Sequence, residues 1–556
     1  MFAPRKPSRF SLLLAVLAIW LTTSATPIAA EPNRAKAARQ QALAKQRRIF
    51  FNDDTHELYR ADANTPEGFL RRRLKPLAGT GVDVISWSVL GGWADAPVYD
   101  SQIQPIYGDA HGGPSRWAPA GLKPVMSENI KALINSGHCP LQIVIDFAHG
   151  NNMETFASIR MNDCHDSFVA GGITLWKKEH PEFWVDSTGI PHDKVKHPLG
   201  LYWTALDFTH QAVRDRKFEI IEEVCQRYDI DGVSLNFMRH PVFFSHTMRG
   251  QPVTADELEI MTGLIRRIRG LTDGRGLQRG RAILVAAIVP DSLQLSKSIG
   301  LDVETWIRED LIDIVVPGLG YAPFTLPVDE FVGLAHEHGV KVYPCINRKA
   351  PQNVPEEVVA EGFRGVAANW YTAGADGVFF WNLGTPFVPQ SGEQLVRTRN
   401  RYYAALPELG SPRTLRGKDK LFYLDDWLLS YYQHVSSRPP LPVELQPDEP
   451  VCLGLTVADD LPAAARDGSF EAATLQMEFT GVTAQDRLSL RFNGQVPPES
   501  HDAEENGDSF RISWDLDASQ VKQGPNIVEA TLREATPGAG ESVQLTQLRL
   551  VVRYTP

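Results

Sequence analysis

Cysteine is scarce in this chain. Five cysteines stand among 556 residues, widely spaced, and no two of them form a C-x-x-C pair. A scattered, odd-numbered set argues against a disulfide-built fold and against a cysteine metal site, although one bridge remains possible. The stability of the fold must therefore come mainly from the size of its core. The five positions are Cys139, Cys164, Cys225, Cys345 and Cys452.

An excess of positive charge is also missing. The formal net charge is -11 and the isoelectric point is near 5.8, so the chain offers no broad positive field to a phosphate backbone. We therefore expect no nucleic-acid partner. The first predicted strand is not followed by the G-x-G-x-x-G turn that binds dinucleotides, and we expect no cofactor.

The chain begins with an apolar run that is short for a membrane span. Residues 10–21 give about 12 apolar positions, too few to cross a ~30 Å hydrocarbon core comfortably. Basic residues precede this run and small residues up to Ala30 follow it, which predicts a secretory signal peptide at 1–30. An uncleaved membrane anchor is the weaker alternative. We expect a secreted or periplasmic protein, with no stable membrane insertion after cleavage and a polar, solvated lead-in at 31–46.

Short apolar, β-branched runs then alternate with longer segments of helical period. This pattern predicts repeated βα units and a parallel sheet across residues 47–405. Eight strands with intervening helices fit a closed (β/α)8 TIM barrel better than an open doubly wound sheet. The predicted strands are 82–88, 154–161, 202–208, 232–237, 282–290, 313–317, 341–347 and 377–382.

Two units of the predicted barrel have similar sequences, at 147–160 and 334–347. In each, a helix of apolar period ends near a His, an Asn or Gly follows where a left-handed cap would lie, and a buried strand begins. Asn152 and Gly339 are the predicted stop residues. The apolar string L-Q-I-V-I-D-F could alternatively be a strand, but the parallel between the units favours a helix at 141–148.

The character of the sequence changes after residue 405. Residues 406–451 read as a connecting segment that ends in a Pro-rich linker. Residues 452–556 alternate apolar and polar positions with period two between turn-forming residues, which predicts an antiparallel β-sandwich. We expect this sandwich to brace the barrel rather than to bind glycan.

The second predicted strand ends in the densest polar cluster, R-M-N-D-C-H-D. Functional groups in a (β/α)8 barrel lie at the carboxyl ends of the strands. Asp163, His165 and Asp166 are candidate proton carriers, and Arg160 could hold a carboxylate or a sugar hydroxyl. Asn162 is a further candidate for substrate binding. The alternative is a salt-bridged loop that only caps the barrel.

The third and fourth predicted strands supply further candidates. Asp207 ends the third strand, where it could act on substrate or cap the following helix. The fourth strand, D-G-V-S-L-N-F-M-R-H-P, ends in Asn236, Arg239 and His240 at the functional face. Asp231 lies at its start, on the opposite face, and is predicted to be structural.

Two acids follow the fifth strand, and polar or aromatic residues lie at the ends of other predicted strands. Asp291 and Asp302 could act on substrate, although Asp302 could instead begin a short helix. Flat rings beside hydrogen-bonding groups suit the two kinds of face that a sugar ring presents. The remaining substrate-binding candidates are Trp87, Tyr321, Asn347, Trp381 and Asn382.

These residues point to carbohydrate chemistry. Ordinary glycoside hydrolysis requires two carboxyl groups ~5 to 10 Å apart, one to protonate the leaving oxygen and one to act as nucleophile or base. We predict Asp163 and Asp166 as acid–base candidates, with Asp207, Asp291 or Asp302 as the partner. The sequence does not decide which two face each other.

The region around the fourth strand resembles a known family. R-Y-D-I-D-G-V-S-L-N-F, preceded by L-D-F-T-H-Q-A-V-R-D-R and followed by W-I-R-E-D-L-I-D-I-V-V-P-G, resembles the glycosyl-hydrolase-like family 10 proteins, also called family 10-like glycosidases. R-R-I-F-F-N-D-D with F-L-R-R-R-L-K-P-L is similar to the amino-terminal part of bacterial members. The resemblance covers about residues 47–405 and implies a (β/α)8 hydrolase of poly- or oligosaccharides.

The chain departs from that family at two positions. Relatives commonly carry an acid where this chain has Asn236, and the seventh strand ends in Asn347 without the Glu nucleophile of true family 10 xylanases. An Asn can orient a substrate or an acetamido group but does not relay a proton in the ordinary way. A non-catalytic carbohydrate-binding barrel is therefore the second hypothesis. A metal-dependent hydrolase is a weaker third, because its candidate ligands show no H-x-H or H-E-x-x-H spacing. Those ligands are Asp163, His165, Asp166 and His240.

Overall fold

The structure is a computed structural model that describes most of the chain beyond the predicted signal peptide. The described residues are 30–91, 95–111, 125–167, 172–186, 202–318, 325, 327–346, 358–384, 392–428, 432–482, 487–496, 502–506, 509–534 and 542–555. The predicted signal peptide lies outside them except for Ala30. No helix in the described part of the chain has the length and apolarity needed to cross a bilayer.

Nine parallel strands form the first sheet, numbered β1 to β9 in chain order. Hydrogen bonding joins them in the order β8-β9-β1-β2-β3-β4-β5-β6-β7. Because β7 and β8 are consecutive pieces of one stretch, the two ends of this order meet, as in a TIM barrel. The strands are Ile49–Asp53, Val82–Ser88, Glu154–Arg160, Gly232–Asn236, Leu284–Val289, Ile314–Pro317, Lys341–Val342, Cys345–Ile346 and Val378–Trp381.

The TIM-barrel-like α/β class agrees with the prediction, but one predicted strand is wrong. Residues 202–208 form turns, and the Ala205 N–H donates back to the Tyr202 carbonyl at 2.7 Å. The missing strand is β1, whose five residues lie between β9 and β2. The predicted seventh strand is split into β7 and β8 around Pro344, which has no N–H to donate to a neighbouring strand.

Helices follow most of the strands, as the βα pattern predicts. Pro140–Gly150 is a helix, which resolves the helix-or-strand ambiguity in the predicted way. Asn152 and Gly339 have φ angles of 58° and 75°, the left-handed conformation expected of stop residues. The helices are Ala30–Leu43, Pro66–Arg71, Val125–Asn135, Pro140–Gly150, Leu175–Glu179, Gln211–Arg227, Ala255–Arg279, Leu293–Ser298, Val303–Arg308, Asp329–Glu337, Val359–Thr372, Gly392–Ala405, Pro412–Leu415 and Leu461–Asp467.

Aromatic rings fill the interior of the sheet below its carboxyl end. The Phe50 ring lies 5.3 Å from Phe156 and 6.0 Å from Phe379, centroid to centroid. A Cβ on Gly232 would lie 2.5 Å from the Phe156 ring, so this layer has room only for glycine there. Since side chains alternate along a strand, the inward residues of the next layer up include Asn52, two positions after Phe50.

The lead-in at 31–46 is mostly exposed, which agrees with the predicted solvated segment, but it is helical and is attached to the barrel. Most of it belongs to the helix Ala30–Leu43, which contacts the helix Ala255–Arg279. Its Arg39 is buried and donates to Asp310 at 2.7 Å and to Asp313 at 2.9 Å. Carboxylates of the barrel therefore hold a helix whose composition alone predicts exposure.

Two antiparallel sheets follow the barrel, which agrees with the predicted period-two pattern. The connecting segment is not only a linker, because Lys420–Tyr423 and Val443–Glu444 both pair with the last strand. The six-stranded sheet contains Lys420–Tyr423, Val443–Glu444, Phe470–Thr480, Asp502–Asn506, Ser509–Asp515 and Gln544–Tyr554, and the three-stranded sheet contains Val451–Val457, Arg487–Phe492 and Gly524–Glu534.

Candidate active site

Arg160 lies at the centre of a buried polar cluster at the carboxyl end of the sheet. It is the last residue of β3 and is 1% exposed. One terminal nitrogen of its guanidinium donates to Asp163 Oδ2 at 2.7 Å, and the other lies 3.3 Å from Asp54 Oδ2. One planar group therefore bridges two carboxylates that come from separate strands.

Asp54 is a site residue that the sequence analysis missed. It follows β1, and its Oδ2 accepts a 3.0 Å hydrogen bond from the Asn382 side chain after β9. The Asp54 backbone N–H donates to the same Asn382 side chain at 2.9 Å. The run N-D-D at 52–54 was the available signal, but its strand has only three apolar residues and was not predicted.

Both carboxylates of the cluster are held in the ionised form. Burial alone would raise the pKa of Asp163, but His165 and Arg160 outweigh it and lower that pKa well below its usual range. Burial also opposes ionisation of Asp54, and Arg160 and Arg239 outweigh it, so the pKa of Asp54 falls to about 2. Two carboxylates and two guanidiniums balance in charge within the cluster.

Two histidines pack against Asp163. Arg239 donates to His165 Nε2 at 2.7 Å, and a guanidinium cannot accept, so His165 carries its proton on Nδ1. That N–H donates to Asp163 Oδ1 at 2.7 Å. The His240 ring lies 4.5 Å from the His165 ring, edge to face. Burial lowers the pKa of His165 to about 4 and, with His165 beside it, lowers that of His240 well below its usual range, so both rings are neutral at pH 7.

The Asp163, His165 and His240 side chains come close enough to share a metal ion, with ligand atoms within 4.8 Å of one another. The accepting nitrogen of each histidine is already used, however. The Cys164 N–H donates to His240 Nδ1 at 3.1 Å, and Arg239 occupies His165 Nε2. With two guanidiniums beside the same carboxylate cluster, this donor set does not fit a divalent cation.

Four buried polar atoms of the surrounding strands make no hydrogen bond with the described part of the protein: Asn52 Oδ1, Ser158 Oγ, Asn236 Nδ2 and Trp381 Nε1. Asn52 is paired in register with Trp381, and Arg160 with Asn236. Buried donors and acceptors are normally satisfied, so unpaired ones around a polar cluster indicate atoms that a ligand could satisfy. Asn236, Trp381 and Asn382 lie at this end of the sheet, and their role in substrate binding stays a prediction.

Trp87 faces away from the cluster, contrary to the prediction. Strand alternation directs Ser86 inward, where its hydroxyl contacts Ser234 at 3.0 Å, and Trp87 outward against Phe69. The Trp87 indole donates to Glu57 Oε1 at 2.6 Å. Burial and then Asp53 raise the pKa of Glu57 well above its usual range. This pair belongs to the layer between sheet and helices.

The second predicted acid, Asp166, pairs with Lys177 and Thr204 rather than with Arg160. Lys177 donates to its Oδ2 at 2.8 Å, and the Thr204 hydroxyl donates to its Oδ1. Burial raises the pKa of Asp166 to about 6, with Lys177 opposing that effect. Asn162 is structural in its contacts, since its amide donates to the carbonyls of Leu206 and Val242.

The other three predicted acids are not brought to Arg160. Asp207 accepts from the Thr209 and Ser245 backbone N–H groups and links two loops. Asp302 accepts from the Thr305 N–H at 3.3 Å and begins the helix Val303–Arg308, the alternative that the sequence left open. Asp291 binds the connecting segment and is described below. Asp231, at the start of β4, contacts His149 and accepts from the Thr155 N–H, as predicted for a structural residue. Tyr321 and Asn347 lie outside the described residues.

Neither a protein-family model nor a curated protein matches this chain. Solved structures are similar only at low identity. The glycoside hydrolase domain of PgaB from Bordetella bronchiseptica is 10% identical with a TM-score of 0.41, covering 66% of this chain and 99% of that one. An endo-β-1,4-mannanase double mutant from Cellulomonas fimi is 13% identical with a TM-score of 0.35, covering 93% and 97%. A cycloisomaltooligosaccharide glucanotransferase from Paenibacillus sp. is 10% identical with a TM-score of 0.30, and this chain covers 57% of its length. Similarity at this level transfers no activity, and the resemblance to the family 10-like glycosidases stays a prediction.

Proposed function

We propose that this protein is a glycoside hydrolase that cleaves a poly- or oligosaccharide at the carboxyl end of the barrel-like sheet. The observation that carries the proposal is the pair of ionised carboxylates, Asp54 and Asp163, joined by the single guanidinium of Arg160. We also propose export by the sequence at 1–30 and a bracing role for the C-terminal sheets.

The contacts of the two carboxylates support different roles. Asp163 accepts three hydrogen bonds, because Oδ1 accepts from the His165 N–H at 3.0 Å and from its Nδ1, and Oδ2 accepts from Arg160. Asp54 Oδ2 is also occupied, but its Oδ1 has only a 3.4 Å contact with Asn52 Nδ2. Asp54 is therefore the better nucleophile or base, and Asp163 orients Arg160 and His165.

The unpaired atoms of the same layer support a sugar ligand. Asn236 Nδ2 and Trp381 Nε1 are donors, and Asn52 Oδ1 is an acceptor. Hydroxyl groups can both donate and accept, so a sugar hydroxyl group matches each of these three atoms in hydrogen-bonding type.

A non-catalytic carbohydrate-binding protein is the second candidate, and one observation favours it. Both carboxylates on Arg160 are ionised, whereas ordinary glycoside hydrolysis also needs a protonated acid. Asp166, which has a raised pKa, has both oxygens bound to Thr204 and Lys177. Under this alternative the protein binds glycan and releases no product.

The test is a product screen with the chain from Glu31 onward. The wild type, Asp54→Asn and Asp163→Asn are incubated with a broad panel of poly- and oligosaccharides, and products are followed by reducing ends and mass spectrometry. We expect products from the wild type and a loss of at least about 100-fold in kcat for Asp54→Asn, because an amide cannot serve as nucleophile or base.

Asp302→Asn is the matched control, since Asn caps a helix about as well as Asp and this residue lies away from Arg160. Unchanged turnover in both Asp54→Asn and Asp163→Asn would contradict the assignment. Saturable binding without product, even after long incubation, would favour the binding protein.

A further inference from the structure

A part of the connecting segment lies across the carboxyl-terminal loops of the barrel. We call its described residues, 425–428 and 432–437, the strap. Asp425 accepts from the backbone N–H and the hydroxyl of Thr325, both at 2.6 Å, in the loop after β6. The strap therefore reaches the same end of the sheet as the candidate active site.

Asp291, predicted from the sequence as a possible catalytic acid, anchors the strap. Its carboxylate follows β5 and accepts from the Ser436 hydroxyl at 2.7 Å. It also accepts from the Ser437 hydroxyl at 3.0 Å and from the Ser437 N–H at 2.9 Å. These partners use the oxygens of Asp291, so it holds the strap rather than substrate.

Tyr432 joins the strap to the polar cluster. It is 1% exposed, and its hydroxyl donates to the Arg239 carbonyl at 2.8 Å. The guanidinium of the same Arg239 donates to His165 and lies 3.9 Å from Asp54 Oδ2. Tyr432, which lies 193 positions after Arg239 in the sequence, thus fixes the backbone of Arg239. Arg239 in turn contacts both a histidine and a carboxylate of the site.

A second line of contact runs through Tyr202. The His434 ring lies 5.7 Å from the Tyr202 ring, which lies 5.9 Å from the His240 ring. His434 Nε2 is also 3.3 Å from the Pro241 carbonyl, two residues after Arg239. The strap therefore contacts the loop after β4 at Arg239 and at Pro241.

We propose that the strap forms part of the active-site wall, and that Tyr432 is a positioning residue that holds Arg239 against His165 and Asp54. The catalytic consequence rests on the proposed function, whereas the positioning of Arg239 does not. The connecting segment then has a role in the site itself, separate from any role of the two antiparallel sheets.

The test is Tyr432→Phe in the full chain, which removes one hydroxyl and keeps the ring. The matched control is Tyr371→Phe, because the Tyr371 hydroxyl also donates to a backbone carbonyl, that of Leu409, at 3.0 Å. The titration of His165 is followed by NMR of histidine-labelled protein and assigned with His165→Gln. The charged and titratable groups beside His165 are Asp163, Arg160, Arg239 and His240.

We expect Tyr432→Phe to raise the pKa of His165 above about 4, because burial, which lowers it most, stays while the lowering by the Arg239 cation weakens. Where a substrate has been found, kcat/KM should fall about fivefold, the effect of one lost hydrogen bond. Tyr371→Phe should change neither. Because the titration needs no substrate, a failed product screen leaves this test intact.

A second variant carries both Ser436→Ala and Ser437→Ala. The proposal would be overturned if the His165 titration were the same in the wild type, in Tyr432→Phe and in this double variant. The double variant loosens the strap at Asp291 without altering Tyr432, so it tests the strap by an independent contact. A rise of the His165 pKa in both supports the proposal.

Discussion

At the residue scale, the site is a cluster of charged side chains that are buried together. Burying a carboxylate or a guanidinium is costly unless each has a partner, and Arg160 partners two carboxylates at once. Removing any one member leaves its neighbours as uncompensated buried charge. The cluster is therefore sensitive to pH in a direction that the pKa values define.

Asp54 should stabilise the fold only above acid pH. Its folded pKa of about 2 lies below the ordinary value of 3.8, so the stabilisation is present above pH 4 and is lost as pH falls through 2. The difference is worth about 2 kcal/mol. Between pH 5 and pH 2, the wild type should lose about 2 kcal/mol more of its free energy of unfolding than Asp54→Asn does. Urea denaturation at each pH measures this difference.

The control is Asp146→Asn, which alters an exposed carboxylate of the helix Pro140–Gly150. It should follow the wild-type pH dependence. If Asp54→Asn also followed it, Asp54 would not be held ionised by Arg160 and Arg239.

At the scale of elements, the helix Ala30–Leu43 shows how partners decide the place of a polar segment. Its buried Arg39 lies 3.0 Å from Asp273, in addition to its contacts with Asp310 and Asp313. The three carboxylates come from the helix Ala255–Arg279 and from the turn before β6. The lead-in is thus fixed to the amino-terminal end of the sheet, opposite the site.

Arg39→Met should lower the free energy of unfolding by about 2 kcal/mol, because it removes charged hydrogen bonds and leaves Asp313 to Arg269 and Asp310 to Lys36. Urea denaturation measures the change. Arg34→Met, on the exposed side of the same helix, should have an effect below about 0.5 kcal/mol. Similar losses in the two variants would mean that Arg39 contributes through helix formation rather than through its carboxylates.

At the scale of the whole molecule, the barrel and the antiparallel sheets share a close contact. The helix Val359–Thr372 packs on the strand Lys420–Tyr423, which pairs with the last strand Gln544–Tyr554. Gly365 lies at this contact, and a Cβ there would come within 2.2 Å of the Leu421 carbonyl oxygen. Because that atom is backbone, the side chain could fit only if the helix or the strand shifted.

Gly365→Ala should therefore lower the free energy of unfolding by about 2 kcal/mol, the cost of overpacking. Circular dichroism with urea should show one transition for both parts of the protein, since the contact joins them. Gly270→Ala is the control and should raise the free energy of unfolding. Nothing described lies within 4 Å of a Cβ at this position, and alanine is favoured over glycine in a helix by about 0.5–1 kcal/mol. A stabilised Gly365→Ala variant would show that the two parts do not pack this tightly.

Local pattern determined much of this protein. Seven of the eight predicted strands, the stop residues Asn152 and Gly339 and the period-two C-terminal strands follow from periodicity and cap chemistry, which act over a few residues. The same reasoning placed Arg160, Asp163 and Arg239 at one end of the sheet, because the carboxyl ends of parallel strands share an edge.

Only the tertiary structure decided which of these groups meet. Asp54 reaches Arg160 because β1 completes the sheet, and Asp291 is bound by a serine 145 residues later. Trp87 faces the helices because packing on both sides of the sheet sets which residues of its strand point inward. A side chain's partner across the fold depends on strand order and chain closure, and these contacts leave no mark on the local sequence.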